Sequence, residues 1–213
     1  MRGAHPLVPL LRDLAAGRPP PPDGGLQVLP APPGPADGVL AFTAHHVVAA
    51  DVDPAWVHDR VPPGDLVAPM SPAFLAALGE RLGSEPGVLD VVFVGATRAG
   101  RPPLDLEEVA PYPHPRLDRA LAYRVGVRAF RTRDGAGVLA VGHGLAGRVE
   151  AAFEVDPDAR GRGIGRALAV SALHLAPPGE PVFMQAAVGN VASVRAILGA
   201  GLVPVGGEVL FLR

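Results

Sequence analysis

The chain has 213 residues, 48% of them hydrophobic, and a formal net charge of −2 at pH 7. A chain of this length and apolar content can bury a core as one large domain or two small ones, which excludes an intrinsically disordered protein. The near-neutral charge gives no support for a nucleic-acid or anionic-membrane partner. Because the sequence contains no cysteine, disulfides, thiolate metal sites and cysteine nucleophiles are excluded.

The N-terminal stretch Met1–Arg12 is apolar but is interrupted by Pro6 and Pro9, which is atypical of a signal peptide. No apolar run approaches the roughly 18 residues that a membrane-spanning helix needs. We therefore expect a cytoplasmic protein without a membrane partner. The sequence leaves the oligomeric state open, and a homodimer is among the states it allows.

The first half of the chain contains two clear elements beyond its helical start. Pro72–Leu82 is predicted to be a helix and Val88–Val94 an apolar strand. The segment Ala96–Pro115, rich in proline and acidic residues, is predicted to link the two halves. Both halves show the same predicted order of a helix, three strands, a loop, a helix and a strand, which indicates either a duplication or a chance similarity.

The second half shows alternating strand and helix patterns with clear boundaries. The predicted strands are Val125–Arg131, Gly137–His143, Arg148–Val155 and Pro181–Val188. The predicted helices are His114–Tyr123, Arg166–Leu175 and Val191–Leu198, the last capped by Asn190. Finally, Leu202–Val205 and Glu208–Leu212 flank Gly206-Gly207 and are predicted to form a closing hairpin.

A glycine-rich run, residues 160–165, lies between the strand ending at Val155 and the following helix. Amides at a helix N-terminus lack intrahelical acceptors and carry partial positive charge, and glycines let the backbone approach an anion closely. Such a loop favours a diphosphate ligand, and neighbouring arginines add charge. A Walker loop is excluded because the chain has no lysine, and a dinucleotide-binding fingerprint fails because Arg166 replaces its third glycine.

The pattern of Arg160, Gly163 and Gly165 resembles the cofactor loop of the GNAT N-acetyltransferases. A downstream strand followed by Asn190, Ser193 and Gly201-Leu202 resembles a second motif of that family. The resemblance covers residues 125–213 well and the first hundred residues poorly. It implies an α/β (α+β) fold with a mixed, mostly antiparallel sheet flanked by helices. Residues 105–213 would form an acyl-CoA-binding GNAT domain, and residues 1–104 a degenerate GNAT-like half without the phosphate loop.

The same resemblance implies acetyl-CoA as the cosubstrate and a small-molecule or peptide amine as the acceptor. The implied cofactor contacts follow the strand end, the loop and the next helix: Phe153, Val155, Arg160, Gly161, Arg162, Gly163, Ile164, Gly165, Arg166 and Asn190. In this family two splayed strands would admit the thioester between Val155 and Gln185. The Val155 N–H would then polarise the acyl carbonyl.

The catalytic groups are less clear, because Ile197 stands where many family members carry a tyrosine. Glu150 and Glu154 are candidate bases since they alternate onto one strand face, which is alternatively a solvated or salt-bridged surface. Ser193 is a candidate for holding a water or donating a weak hydrogen bond, and is alternatively a small residue on the helix surface or facing the cofactor. No metal site is expected, because the adjacent His45-His46 would point to opposite faces of a strand.

The two tyrosines of the chain, Tyr112 and Tyr123, lie far upstream of the glycine loop. Because no catalytic group is clear, the sequence is compatible with three functions. The protein is an N-acetyltransferase, a catalytically inactive acyl-CoA-binding or regulatory module, or an interaction protein whose loop is vestigial.

Overall fold

The computed structural model describes residues 5–213, so the first four residues of the Met1–Arg12 stretch lie outside the described residues. Within residues 5–213 there are six α-helices: α1 (Leu7–Ala15), α2 (Pro54–His58), α3 (Pro72–Leu82), α4 (Pro115–Tyr123), α5 (Ile164–Leu175) and α6 (Val191–Gly199). The ten strands in this range are β1 (Gly25–Leu29), β2 (Ala36–Phe42), β3 (His45–Ala49), β4 (Asp90–Gly95), β5 (Leu106–Val109), β6 (Val125–Thr132), β7 (Gly137–His143), β8 (Val149–Val155), β9 (Val182–Ala187) and β10 (Val203–Leu212).

All of these strands join one sheet in the order β1-β3-β2-β10-β4-β9-β8-β7-β6-β5. The pairs β1–β3 and β8–β9 are parallel, and the other neighbours are antiparallel. The predicted fold class, a mixed and mostly antiparallel sheet flanked by helices, is therefore confirmed. None of the helices among the described residues is long and apolar enough to cross a membrane.

Helices cover both faces of the sheet. Helices α5 and α6 pack on one face of β7, β8 and β9, where Leu139, Leu168 and Met184 belong to one buried cluster. Helix α4 covers the opposite face of β6 and β7 through Leu117 and Ala120. Because side chains alternate between faces, β8 and β9 lie between the α4 layer and the α5–α6 layer.

Local capping sets the starts of three helices. Helix α4 starts at Pro115, with the His114 imidazole accepting a hydrogen bond from the Arg116 amide at 3.1 Å. Helix α6 is capped by Asn190, as predicted. Helix α5 begins at Ile164, two residues before the predicted start, because Gly163 already adopts the N-cap position.

The predicted closing hairpin at Gly206-Gly207 is wrong. These glycines lie inside β10, which runs unbroken from Val203 to Leu212 with a register shift between Pro204 and Gly206. The strand pairs with β2 on one side and β4 on the other. Because both edges of β10 have hydrogen-bond partners, the chain continues as a strand and does not turn. A Cβ on Gly206 would lie 2.5 Å from the Ala41 carbonyl oxygen, so this glycine permits the close approach of β2.

The first half enters the same sheet as the second. Helix α3 has the predicted bounds, and the predicted linker Ala96–Pro115 contains β5, which pairs with β6. In the first half β3 lies between β1 and β2, whereas β6, β7 and β8 pair in chain order. Strand β4 lies between β9 and β10, both of the second half. The duplication and the division at residues 104 and 105 stay predictions.

Candidate functional site

Strands β8 and β9 separate soon after they start. They pair only at Val149 with Val182 and at Glu150 with Phe183, although β8 continues to Val155 and β9 to Ala187. The predicted splay of these two strands is therefore confirmed. A cavity of about 220 Å³ lies in this opening, between α4 on one face and α6 on the other.

The end of β8 presents main-chain groups to this opening. The Asp156 amide donates to the Ala136 carbonyl at 2.9 Å, on the β7 side. Because main-chain groups alternate in direction along a strand, the N–H and C=O of Phe153 and Val155 point away from β7, toward the opening. They are placed to bind an extended chain that enters between β8 and β9.

The glycine loop follows β8 at the same end of the sheet. Gly161 and Gly163 have φ angles of 78° and 81°, in the left-handed region that favours glycine, and a Cβ on either would meet open space. Arg160, Arg162 and Arg166 are exposed. In the part of the chain that the structure describes, none of the amides from Gly161 to Arg166 donates to a backbone carbonyl. The loop thus offers free main-chain donors beside exposed positive charge, as an anion site requires.

Gly165 sets the position of this loop against the opening. A Cβ there would lie 3.4 Å from the Phe153 ring, 3.6 Å from the Ala196 Cβ and 3.6 Å from the Val155 side chain. The first turn of α5 therefore packs closely on the end of β8 and on α6. The structure brings Phe153, Val155 and the loop together at one edge, while their contacts with a cofactor stay predictions.

Across the opening, the start of α6 forms the second wall. The Asn190 Oδ1 accepts a hydrogen bond from the Ser193 amide at 3.1 Å, so this side chain caps the helix. Asn190, Ser193 and Ile197 all line the cavity. Ile197 is buried, which gives this wall an apolar surface at the position where the family resemblance implies a tyrosine. The roles of Asn190 and Ser193 stay predictions.

Glu150, a predicted base, is enclosed by arginines. Its Oε1 accepts from Arg148 Nε at 2.8 Å and its Oε2 lies 2.9 Å from Arg124 Nε. Arg148 also donates to Glu208 at 2.6 Å. Burial alone would raise the pKa of Glu150, but the two guanidinium groups hold it below its ordinary value. A carboxylate paired in this way is a weak proton acceptor, so the geometry argues for a structural role.

Glu154, the other predicted base, lies nearer the end of β8. Its Oε2 is 3.5 Å from Arg116 Nε, and its side chain is 37% exposed. This is the salt-bridged strand face that the sequence left open as an alternative. Its role as a base stays a prediction.

Two residues that line the cavity and can exchange protons were not assigned to the site from the sequence. Tyr123, at the end of α4, lines the cavity, with the Arg119 guanidinium 4.8 Å from its ring centroid. Asp90, the first residue of β4, lines it from the sheet. In the sequence, Asp90 is an acid at the start of an apolar strand and Tyr123 is a tyrosine just before another strand. Neither feature indicates that the residue lies near the glycine loop.

The surroundings of Asp90 change its acidity. Burial raises the pKa of this carboxyl group to about 6, and the neighbouring Glu208 acts in the same direction. Three arginines on or just after α4 partly oppose this shift: Arg119, Arg116 and Arg124. Asp90 therefore changes its charge near pH 6, whereas the pKa of Glu150 lies below its ordinary value.

Gln185 completes the sheet wall on this face. Its Oε1 accepts from Arg124 Nη2 at 3.2 Å. Its Nε2 is buried and has no hydrogen-bond partner among the described residues. The side chain thus provides a donor at the opening, close to where the sequence placed the thioester.

A larger cavity, of about 790 Å³, lies under α1. It is lined by Leu11, Val149 and Phe183, at the paired ends of β8 and β9 and away from the loop. Arg148 also borders it, but this side chain is already engaged by Glu150 and Glu208. Size therefore does not identify the site, and it is the smaller cavity that lies in the opening between β8 and β9 and is lined by Asp90, Tyr123 and Glu150. Within residues 5–213 no cluster of three or more potential metal ligands occurs.

The fold is similar to those of several solved acetyltransferase structures. A GNAT-family acetyltransferase from Colwellia psychrerythraea is 14% identical, with a TM-score of 0.42, over 66% of this chain and 62% of that protein. A GCN5-related N-acetyltransferase from Sphaerobacter thermophilus is 18% identical, with a TM-score of 0.37, over 67% of this chain and 56% of that protein. A tandem GNAT protein from the clavulanic acid biosynthesis pathway is 15% identical, with a TM-score of 0.39, over 65% of this chain and 57% of that protein.

This chain spans less than two-thirds of the length of each of these three proteins. No protein-family model matches the sequence, and no curated protein matches it. What the protein does must therefore be inferred from the geometry of its own site.

Proposed function

We propose that the protein is an N-acyltransferase of the GNAT type that transfers an acetyl group from acetyl-CoA to a primary amine. The observation that carries this proposal is the separation of β8 and β9 beside the glycine loop. At this opening, the loop offers free amides that can bind a diphosphate. The end of β8 offers N–H and C=O groups that can bind an extended thioester arm. The separation of the two strands leaves room for the reacting carbonyl.

The chain's own groups supply the binding steps. The amides from Gly161 to Arg166 hold the pyrophosphate, and Arg160, Arg162 and Arg166 lie nearby to neutralise its charge. The main-chain groups of Phe153 and Val155 bind the pantetheine arm as an added strand would be bound. The Val155 N–H donates to the acyl oxygen and stabilises the oxyanion that forms there.

Transfer then requires a neutral amine, a proton acceptor and a donor for the departing thiolate. The acceptor amine enters from the α4 face, because the titratable side chains that line the cavity lie there, among them Asp90 and Tyr123, beside the Gln185 amide. The Tyr123 hydroxyl is the donor for the thiolate. This assignment replaces the tyrosine expected on the last helix with one from α4.

Calorimetric titration with acetyl-CoA tests the binding part of the proposal. Gly163→Asp should raise the Kd by at least about tenfold, because the carboxylate repels the pyrophosphate. Gly163→Ala is a control that introduces the same backbone strain at the loop without a charge. Gly135→Asp is a second control, because it introduces the strain and the charge in the β6–β7 turn, where φ is 75°. Equal Kd values for wild type and Gly163→Asp would contradict the proposed loop.

Release of free thiol on incubation with acetyl-CoA and an amine panel tests the transfer. The alternative function, a catalytically inactive acyl-CoA-binding or regulatory module, is favoured by Ile197 at the tyrosine position. Tight acetyl-CoA binding without thiol release from a broad panel would select that alternative. Thiol release above the rate of the Gly163→Asp variant would support the transferase.

A further inference from the structure

We infer that Asp90, which the first half of the chain contributes to the site, is the catalytic base of this acyl transfer. The inference rests on the proposed function and extends it to a residue outside the region that resembles the GNAT motifs. It assigns the first half a chemical role in the site.

The sheet topology brings Asp90 to the opening. Strand β4 lies between β9 and β10, and Asp90 pairs with Ala187 on one side and Glu208 on the other. Ala187 lies beyond the residues at which β9 still pairs with β8. Asp90 therefore sits beside the part of β9 that has separated from β8, and it lines the cavity there.

Asp90 also lies on the face from which the acceptor enters. Paired residues of neighbouring strands point to the same face, and residues two apart on one strand do so as well. Asp90 is thus on the same face as Ala187 and Gln185. Helix α4 covers this face and contributes Arg116, Arg119 and Tyr123 to the same cavity. An amine between α4 and the sheet meets the carboxyl group and the opening together.

The charges around Asp90 keep it available as a proton acceptor. The charged and titratable groups that face it come from β10, from α4 and from the residue that follows α4: Glu208, Arg116, Arg119, Tyr123 and Arg124. Glu208 and Glu150 are held by Arg148 at 2.6 and 2.8 Å, and Glu150 also by Arg124, so their charges are already balanced. Asp90, by contrast, makes no ion pair within 4.0 Å in the part of the chain that the structure describes.

The step balances with the groups present. The amine lone pair forms a C–N bond with the acyl carbon, and the carbonyl electrons move to the oxygen. The carboxylate of Asp90 takes the proton that the nitrogen loses. When the carbonyl re-forms, the C–S bond breaks and the sulfur leaves with its electron pair, taking a proton from Tyr123. Solvent returns both side chains to their starting protonation states, so the products are an amide and free coenzyme A thiol.

The raised pKa of Asp90, about 6, suits this role. The nitrogen of the tetrahedral adduct is far more acidic than a free ammonium, so a carboxylate of this strength can accept its proton. Near pH 7 the group is mostly ionised and ready to act. Below about pH 6 it is protonated, and transfer should slow.

Asp90→Asn tests the inference in the full-length protein, with the amine of the panel that gives the fastest thiol release. The variant should lower kcat/KM by about 10²–10⁴-fold, the usual contribution of a positioned base. Its Kd for acetyl-CoA should stay within about twofold of wild type, since Asp90 is outside the loop. The acidic limb of the wild-type pH profile, near pH 6, should be absent in the variant. Asp90→Glu should restore part of the activity and the limb, whereas Asp118→Asn, on the exposed surface of α4, should match wild type.

The outcomes separate the two proposals. If Asp90→Asn binds acetyl-CoA and turns over like wild type, the inference is overturned and the proposed function stands. If the wild type fails to bind acetyl-CoA, or binds it and releases no thiol with any amine, both are overturned. If Asp90→Asn loses acetyl-CoA binding, Asp90→Glu decides the question. This variant must bind acetyl-CoA with the wild-type Kd and keep the acidic limb of the pH profile. If it does not, the inference is overturned.

Discussion

At the scale of single residues, Glu150 and Asp90 share one face of the sheet but differ in their partners. Glu150 is buried between Arg148 and Arg124, and its pKa lies below the ordinary value. Asp90 is partly buried beside another acid, and its pKa rises to about 6. Residue type and strand position alone cannot distinguish them, because Arg124, which pairs with Glu150, and Glu208, which lies beside Asp90, come from distant parts of the chain.

The ion-pair network predicts a strong effect of Glu150→Gln on stability. Removing this carboxylate leaves Arg148 and Arg124 buried without their shared anion, which should cost about 3–5 kcal/mol. Glu154→Gln is the matched control, since its single contact is longer and its side chain is 37% exposed. That control should cost less than about 1 kcal/mol. Urea unfolding of both variants measures the difference, and equal costs would contradict a structural role for Glu150.

The raised pKa of Asp90 predicts a pH-dependent stability. The folded-state pKa of about 6 exceeds the unfolded value of 3.8, so the contribution of Asp90 to stability is complete below pH 3.8 and is lost as pH rises through about 6. Asp90→Asn cannot ionise and avoids this loss. From about pH 4 to about pH 7 the stability of Asp90→Asn relative to wild type should therefore increase, by roughly 1–3 kcal/mol. Denaturant unfolding at both pH values measures this change, and a constant difference would show that Asp90 has an ordinary pKa.

At the scale of helices and strands, the features that could be predicted from the sequence are those that depend on neighbouring residues. The N-cap at Asn190 was predicted because capping depends on neighbouring residues alone, whereas the predicted start of α5 was two residues too late because Gly163 is its N-cap. The glycine loop could be singled out for the same reason, because its glycines and arginines lie in seven consecutive residues, 160–166, while its role in binding phosphate stays a prediction. Asp90 and Tyr123 were missed because their positions depend on the pairing of β4 with β9 and on the packing of α4.

The hairpin error shows the same limit. Gly206-Gly207 is a turn signal when only its own neighbours are considered. In the structure, β2 and β4 from the other half of the chain supply hydrogen-bond partners on both edges of β10. Long-range pairing thus overrides the local preference, and the glycines instead allow a bulge and a close approach of β2.

This arrangement predicts different costs for two adjacent glycines. A Cβ on Gly206 would meet the Ala41 carbonyl oxygen at 2.5 Å, whereas one on Gly207 would lie 3.4 Å from the Asp90 carbonyl oxygen. Gly206→Ala should therefore destabilise the protein by about 1–3 kcal/mol, because the β2 backbone must move. Gly207→Ala should cost less than about 1 kcal/mol. Thermal unfolding of the two variants compares them, and a larger cost at Gly207 would contradict the observed register.

At the scale of the whole molecule, the two halves form one sheet in which strands of one half lie between strands of the other. Strand β4 of the first half separates β9 from β10, and β10 lies between β4 and β2. Residues 105–213 contain the loop and the splayed strands, but they do not contain β4, which borders β9 on the side opposite β8 and carries Asp90. Whatever the evolutionary origin of the halves, the site is complete only when both are folded together.

A fragment comprising residues 105–213 should therefore fail to form a stable site. Its β9 would expose an unpaired edge, and β10 would lose both of its neighbours, so we expect aggregation or a broad, non-cooperative unfolding transition. The full chain should unfold in a single cooperative transition, because a buried cluster extends across residues 104 and 105: Phe93 belongs to the same cluster as Leu139 and Met184. Mixing the fragment with residues 1–104 should restore acetyl-CoA binding in a titration, since the missing strand is then supplied in trans. A fragment that alone is monomeric, unfolds cooperatively and binds acetyl-CoA as the full chain does would show that residues 105–213 form an independent domain and that β4 is dispensable for the cofactor site.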